Sequence, residues 1–155
     1  MQIALFEPRI PQNTGNIART CAAYNLDLNL ILPLGYSLED KYLKRAGLDY
    51  WPLVNVNIHD NFKSLTNTNR SNRIIAFSKF AQLGLHEFTF QKDDILLFGR
   101  EDNGLPESIK SQCNHSVSLF MPINSINKDN GVRSLNLAVA CGIAIYKAYE
   151  ELHLQ

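Results

Sequence analysis

Three stretches of this chain carry residue types that could do chemistry. The first is Asn13-Thr14-Gly15-Asn16-Ile17-Ala18-Arg19. A helix beginning near Thr14 sets Asn16 and Arg19, three apart, on one face, so two amides and a guanidinium project just after the first apolar run. Those groups offer hydrogen bonds and one fixed positive charge. A helix-capping Asn, a turn glycine and a solvated Arg would look the same at this level. The second stretch is Phe98-Gly99-Arg100-Glu101-Asp102-Asn103-Gly104-Leu105-Pro106. Its glycines allow a close backbone approach to a ligand, and free backbone amides there could hold a base or a ribose. An ordinary turn with Asn-Gly at positive φ is the plainer alternative. The third runs from Met121 to Asn136 and places Arg133, Ser134 and Asn136 where a terminal helix begins, with Ser134 or its neighbour as the cap. No G-x-G-x-x-G follows the first strand and no G-x-x-x-x-G-K-[ST] occurs, so neither a Rossmann dinucleotide site nor a P-loop is supported.

Positioning these groups falls to an alternation of strands and helices. Ile3–Phe6, Asp27–Leu32, Val54–Ile58, Arg73–Ser78, Asp94–Phe98 and Ser118–Met121 read as strands from their apolar runs or period-two alternation. Helices are expected over Asn16–Tyr24, Ser37 to about Arg45, Asn61–Asn67, Pro106–Gln112 and Leu135–Tyr149. The stretch Lys79–Gln91 reads mostly as loop. Leu135–Tyr149 is apolar on nearly every face, which predicts burial on all sides. Such alternation argues a single-domain α/β fold with a mostly parallel sheet flanked by helices. In sheets of this kind ligands bind where loops leave the C-terminal strand ends.

Composition narrows the class of protein. With 155 residues, 45% hydrophobic and 19% charged, the chain has the make-up of a globular domain. Fifteen basic and fifteen acidic residues cancel, so any nucleic-acid partner must be held by local patches. Lys41, Lys44 and Arg45 form one such patch on a helix face, although a merely solvated surface would share the pattern. Cys21, Cys113 and Cys141 are odd in number and widely spaced, which reads as reduced thiols in a cytoplasmic protein. The four histidines lack metal-ligand spacing, so no metal is expected. No signal peptide and no membrane span are read.

Taken together and in order, N-x-G-N-x-x-R after strand one, F-G-x-E-x-x-G-[LI]-P late in the chain and a strand ending in [MI]-P before R-S-[LM]-N-L resemble the SPOUT methyltransferases. Within that superfamily the chain is most similar to the small TrmL-like enzymes that 2′-O-methylate the wobble nucleotide of tRNA. The resemblance runs through nearly the whole chain, including Glu7 to Asn16 and Asp40 to Tyr50. It implies a C-terminal trefoil knot, S-adenosyl-L-methionine as methyl donor with S-adenosyl-L-homocysteine as product, and a homodimer whose active site is completed across an interface formed by the first and last helices. Positions matching the family's cofactor contacts are Phe77, Gly99, Met121, Ser134, Leu135 and Asn136. Its catalytic region matches Asn13, Asn16 and Arg19, with Arg133, Asn136 and Tyr146 from the knot side. Arg is effectively always protonated, so Arg19 is expected to stabilise developing alkoxide charge or hold a phosphate, not to act as a base. In this context Lys41, Lys44 and Arg45 are expected to contact the RNA backbone.

Two departures from the family pattern bear on substrate choice. The connection Asn124 to Val132 is several residues longer than usual, and Arg100 with Asp102-Asn103 replaces the more usual Pro and Thr-Arg. A ribosomal-RNA 2′-O-methyltransferase and a non-catalytic RNA- or nucleotide-binding module are the competing readings. The first commonly carries an additional RNA-binding domain, which is not seen here. Loss of Asn16 or Arg19 would favour the second, and both are present.

Overall fold

A computed structural model describes residues 1–38, 50–121 and 134–154. The expected helix from Ser37 to Arg45, with Lys41, Lys44 and Arg45, lies outside the described residues apart from its start. The lengthened 124–132 connection and Arg133 lie wholly outside them.

Among the described residues seven parallel strands form one sheet: β1 (Gln2–Phe6), β2 (Asp27–Ile31), β3 (Val56–His59), β4 (Ile74–Phe77), β5 (Leu83–Gly84), β6 (Ile95–Phe98) and β7 (His115–Ser118). Their order is β3-β2-β1-β6-β4-β7-β5, and every neighbouring pair runs parallel. The helices are α1 (Pro11–Tyr24), α2 (Phe62–Thr68), α3 (Glu107–Lys110) and α4 (Leu137–His153). Period-two alternation divides the strand residues between two cores. Ile3, Leu5, Leu28, Leu30, Ile75, Phe77, Leu96 and Phe98 face α1 and α4. Ala4, Phe6, Ile31, Ile74, Ala76, Ile95 and Leu97 face the other way, onto Phe62, Leu65 and Leu105. Strands buried on both faces read as the continuous apolar runs seen in the sequence.

Four expectations need correction. The helix expected from Asn16 begins at Pro11, because Pro at the first helical position is pre-set for helical φ and loses no hydrogen bond there. The last strand is His115–Ser118, not Ser118–Met121; it pairs with β4 by matching Val117 to Phe77, which leaves Leu119–Met121 as the exit loop. Leu83–Gly84, read as loop, adds a short edge strand on β7.

The fourth correction concerns the last helix, which is not buried all round. Cys141, Ala144, Ile145 and Ala148 are fully buried against the sheet and α1, whereas Val139, Ile143 and Tyr146 are 51%, 42% and 53% exposed. Sheet and α1 together cover only part of one cylinder. Among the described residues no helix is long and apolar enough to cross a membrane.

Candidate active site

The β1–β6–β4–β7 strand ends open onto one cavity of about 630 Å³. This is the place where the chain order reverses, since β2 and β3 lie to one side of β1 and β4, β6 and β7 to the other. Four segments wall the cavity: Phe77–Phe80 after β4, Phe98–Leu105 after β6, Leu119 with Met121 after β7, and Ser134–Leu137 with Ala140 at the start of α4. Phe77 and Phe98 sit opposite each other in register and stack with centroids 4.5 Å apart, giving a flat aromatic floor.

Phe77, Gly99, Met121, Ser134, Leu135 and Asn136 therefore all line the same cavity, together with Asn13. The other expected catalytic residues do not. Asn16 and Arg19 point outward from α1, and Tyr146 lies on the exposed side of α4. Tyr146 instead lines a second cavity of about 590 Å³ with Leu85, Phe120 and Ile143. The Arg19 guanidinium lies 4.8 Å from the centroid of the Tyr50 ring, a cation–π contact that holds it along the outer face of α1.

One residue that the spacing argument left without a role ties the loops together. The Glu101 carboxylate accepts hydrogen bonds from the backbone N–H of Arg9 at 2.8 Å, the backbone N–H of Ile10 at 3.1 Å and the Asn13 side-chain amide at 3.0 Å. Helix α1 has no side-chain cap of its own, so this anion from the β6 loop stands at its start, where negative charge is favoured. The Asn13 carbonyl oxygen accepts from the Asn136 amide at 3.0 Å. Asn136 in turn caps α4, its own side-chain oxygen accepting from Ala138 N–H at 2.8 Å and Val139 N–H at 3.4 Å. The cap is thus Asn136, two residues beyond Ser134. The chain Glu101–Asn13–Asn136 joins the β6 loop, α1 and α4 across one side of the cavity. An acid between the two glycines of the β6 loop was the signal that could have revealed it.

Glu101→Gln keeps the shape but turns one acceptor into a donor facing an N–H. It is expected to cost about 1–3 kcal/mol in a thermal or denaturant melt, and to slow turnover by releasing Asn13.

Arg100, the unusual residue of this loop, is used internally. Its guanidinium pairs with Asp102 at 2.6 and 2.8 Å and with Glu7 at 3.4 Å. That hydrogen bonding holds Asp102 at a pKa of about 2, so the pair stays charged at neutral pH. Two backbone bonds between Arg100 and Gly104, at 3.1 and 2.9 Å, close the turn that presents Glu101. No cysteine lines the cavity, and burial pushes the Cys21 thiol up to about 12 and the Cys113 thiol up to about 11. Among the described residues no group of His, Cys, Asp and Glu could hold a metal ion.

Known proteins align with this architecture. The SpoU rRNA Methylase family matches residues 1–146. A tRNA (cytidine(34)-2'-O)-methyltransferase of Saccharophagus degradans is 40% identical over 152 residues, covering 97% of this chain and 94% of the relative. A solved structure described as giving insights into the 2-OH methylation of C/U34 on tRNA is 44% identical and superposes with a TM-score of 0.91, over 99% of this chain and 97% of that one. The SpoU methyltransferase AviRb from Streptomyces viridochromogenes, in complex with the cofactor AdoMet, shares the fold at 19% identity and a TM-score of 0.83, over 97% of this chain and 57% of its own. With one cavity at the switch point of a parallel sheet and a family match over almost its whole length, the chain belongs to the SpoU rRNA methylase family.

Proposed function

We propose that the chain transfers a methyl group from S-adenosyl-L-methionine to the ribose 2′-OH of the wobble pyrimidine nucleotide, position 34, of tRNA, leaving S-adenosyl-L-homocysteine and releasing the hydroxyl proton to solvent. The observation that carries this reading is the cavity at the β4, β6 and β7 ends. It is lined by Phe77, Gly99, Met121, Ser134, Leu135 and Asn136 in a chain 40% identical to a tRNA (cytidine(34)-2'-O)-methyltransferase over nearly its full length.

The cavity fits the methyl donor. Its volume of about 630 Å³ lies in the range of small-molecule sites, and its lining combines the apolar Phe77, Leu119, Met121 and Leu135 with the polar Ser78, Ser134 and Asn136. S-adenosylmethionine carries no phosphate and so needs no helix start or glycine-rich cradle of the anion-binding kind. When bound, it supplies an electrophilic methyl carbon on a sulfonium. Phe77, Met121 and Leu135 would give it apolar contacts, while Gly99, Ser134 and Asn136 would bring polar groups to it. Asn13 has both ends of its amide engaged by Glu101 and Asn136, which makes it a positioning residue for the α4 start. Arg19, facing solvent on α1, would act across the α1 interface, where its fixed charge would stabilise the 2′-oxygen reacting at the other copy's cavity or hold the neighbouring phosphate. Positioning of nucleotide and donor would supply much of the rate.

The finer features belong to the same reading. The whole chain acts as one methyltransferase domain, its C-terminal segment is threaded as a trefoil knot, and the enzyme works in the cytoplasm on tRNA. Two copies associate through α1 and the stripe Leu135, Val139, Ile143 and Tyr146, at spacings of four, four and three, and the active site is completed across that interface, with Arg133 and Tyr146 contributing from the knot side. Sedimentation equilibrium reads the dimer directly, and a monomer at working concentration removes this part. Lys41, Lys44 and Arg45 contact the RNA backbone. Reversing all three to Glu is expected to weaken tRNA binding and to flatten its salt dependence by roughly two to three units of log–log slope, while an unchanged slope removes them from the interface.

Methyl transfer from labelled S-adenosylmethionine to tRNA lacking wobble 2′-O-methylation, read by nucleoside mass spectrometry, tests the function. A 2′-O-methylated pyrimidine at position 34 is the expected product. Methylation at another tRNA position, or of ribosomal RNA alone, overturns the substrate, and cofactor binding without transfer to any RNA leaves the binding-module reading.

A further inference from the structure

Phe80 is 72% exposed although it lies on the rim of the cofactor cavity, one residue beyond Lys79 in the loop leaving β4. Both residues line that cavity. The loop is held in a defined turn: the Phe80 backbone N–H donates to the Ser78 hydroxyl at 3.3 Å, and the Ala81 N–H donates to the Ser78 carbonyl at 3.1 Å. Ser78 is itself anchored to β7, its N–H donating to the Val117 carbonyl at 3.0 Å. The ring is thus presented on a short tether from the sheet. The Lys79 ammonium lies 5.0 Å from its centroid, so a positive charge accompanies the aromatic surface.

An exposed aromatic ring taken singly needs no explanation, but this one combines three things at one place. It borders the cavity that would hold the methyl donor, its backbone is anchored to the strand end, and a cation lies beside it. An aromatic ring with an adjacent positive charge is the chemistry that receives an unstacked nucleobase and its phosphate. We propose that Phe80 is the stacking platform for the base of the target nucleotide, with Lys79 contacting a phosphate beside it. This rests on the RNA 2′-O-methylation reading above. The geometry follows from the reaction: the ribose must reach the cavity mouth, the cavity itself is occupied by the donor, and the base must therefore lie outside on the rim. Stacking uses the π-face common to every base, so this platform holds cytidine and uridine alike and leaves the choice of position to contacts elsewhere.

The test compares wild type, Phe80→Ala, Phe80→Tyr and Lys79→Gln in steady-state methylation of tRNA, with KM measured separately for tRNA and for S-adenosylmethionine. Phe80→Ala is expected to raise KM for tRNA by about 10- to 100-fold and leave KM for the donor unchanged. Phe80→Tyr restores the platform and should restore the tRNA KM. Lys79→Gln should reduce the log–log salt slope of tRNA binding by about one. The proposal falls if Phe80→Ala leaves the tRNA KM within a factor of two, or if it raises the donor KM instead, which would make Phe80 a cover for the cofactor. It also falls if Phe80→Ala changes the sedimentation mass, which would place the ring in a subunit interface. Wild type that methylates no RNA would remove the underlying reading, whatever the variants do.

Discussion

Gly99→Ala is expected to lower stability by about 3 kcal/mol and to weaken binding of S-adenosyl-L-homocysteine by roughly 100-fold, as read by melting and by titration calorimetry. A Cβ on Gly99 would fall 2.2 Å from the Gly104 carbonyl carbon, 2.4 Å from the Leu105 nitrogen and 2.6 Å from the Gly104 oxygen. All three are backbone atoms, so no side chain can rotate out of the way. The two bonds that close the Arg100–Gly104 turn would have to open, and with them the loop that holds Glu101 against the start of α1. A donor that binds the native loop must restore it against that clash, which is why the same strain appears in affinity as in stability. Gly104→Ala separates the steric cause from a general intolerance of the loop. A Cβ there meets nothing within 4 Å, and only the φ of +67° opposes it, at a cost of about 1–2 kcal/mol. If Gly104→Ala proves the more damaging of the two, the crowding argument is wrong. If Gly99→Ala binds the cofactor product normally, the loop after β6 does not wall its site.

What the chain discloses in its letters, and what it hides, follow from the range of the forces involved. Strand identity was legible wherever burial on both faces makes a continuous apolar run, as in Ile95–Phe98 and Ile74–Phe77, and the parallel sheet followed from the alternation with helices. Ends were harder. Pro11-Gln12-Asn13-Thr14-Gly15 is rich in turn residues, yet it is the first turn and more of α1: Pro11 suits the first helical position, and Glu101, roughly ninety residues away, takes the N–H groups of Arg9 and Ile10 just before the helix. No local propensity carries the second of these. Strand β7 was displaced for a similar reason: Leu119-Phe120-Met121 is the more apolar stretch, but pairing with Phe77 selects Val117.

The site was legible to the same degree. Loops after β4, β6 and β7 and the start of α4 could be named from glycines, prolines and caps, and from a family resemblance carried by whole motifs. The hydrogen-bonded chain from Glu101 through Asn13 to Asn136 was not, since its members are separated by 88 and 123 residues. The apolar sides of α4 predicted burial correctly for Cys141, Ala144, Ile145 and Ala148. Hydrophobicity alone does not say whether the cover comes from the same chain or from another copy, and among the described residues Val139, Ile143 and Tyr146 stay 51%, 42% and 53% exposed.

Arg19→Ala is expected to reduce turnover by about 100- to 1,000-fold, the scale of losing one positive group aimed at developing negative charge. Donor binding should be unchanged, because Arg19 faces away from its own cavity, lined by Phe77, Gly99 and Met121, and would act on the ribose oxygen at the other copy's. The guanidinium lies 4.8 Å from the Tyr50 ring centroid, a contact that leaves its hydrogen-bond donors at the ring unused. A planar fork of donors and a single ammonium differ here. Arg19→Lys keeps the charge but not the two parallel hydrogen bonds, and should recover only part of the loss. The pH profile decides between charge and base. An arginine that stays protonated contributes no ionisation to turnover between pH 6 and 9, so Arg19→Ala should lower the whole curve without changing its shape. Were Arg19 the proton acceptor, its removal would abolish the limb that reports the base, and an Arg19→Lys enzyme, with its lower pKa, would move that limb toward neutral pH. A lowered but parallel profile, with donor affinity intact, assigns Arg19 to charge stabilisation; near-normal turnover in Arg19→Lys would show instead that a point charge suffices and that the forked geometry of the guanidinium is not used.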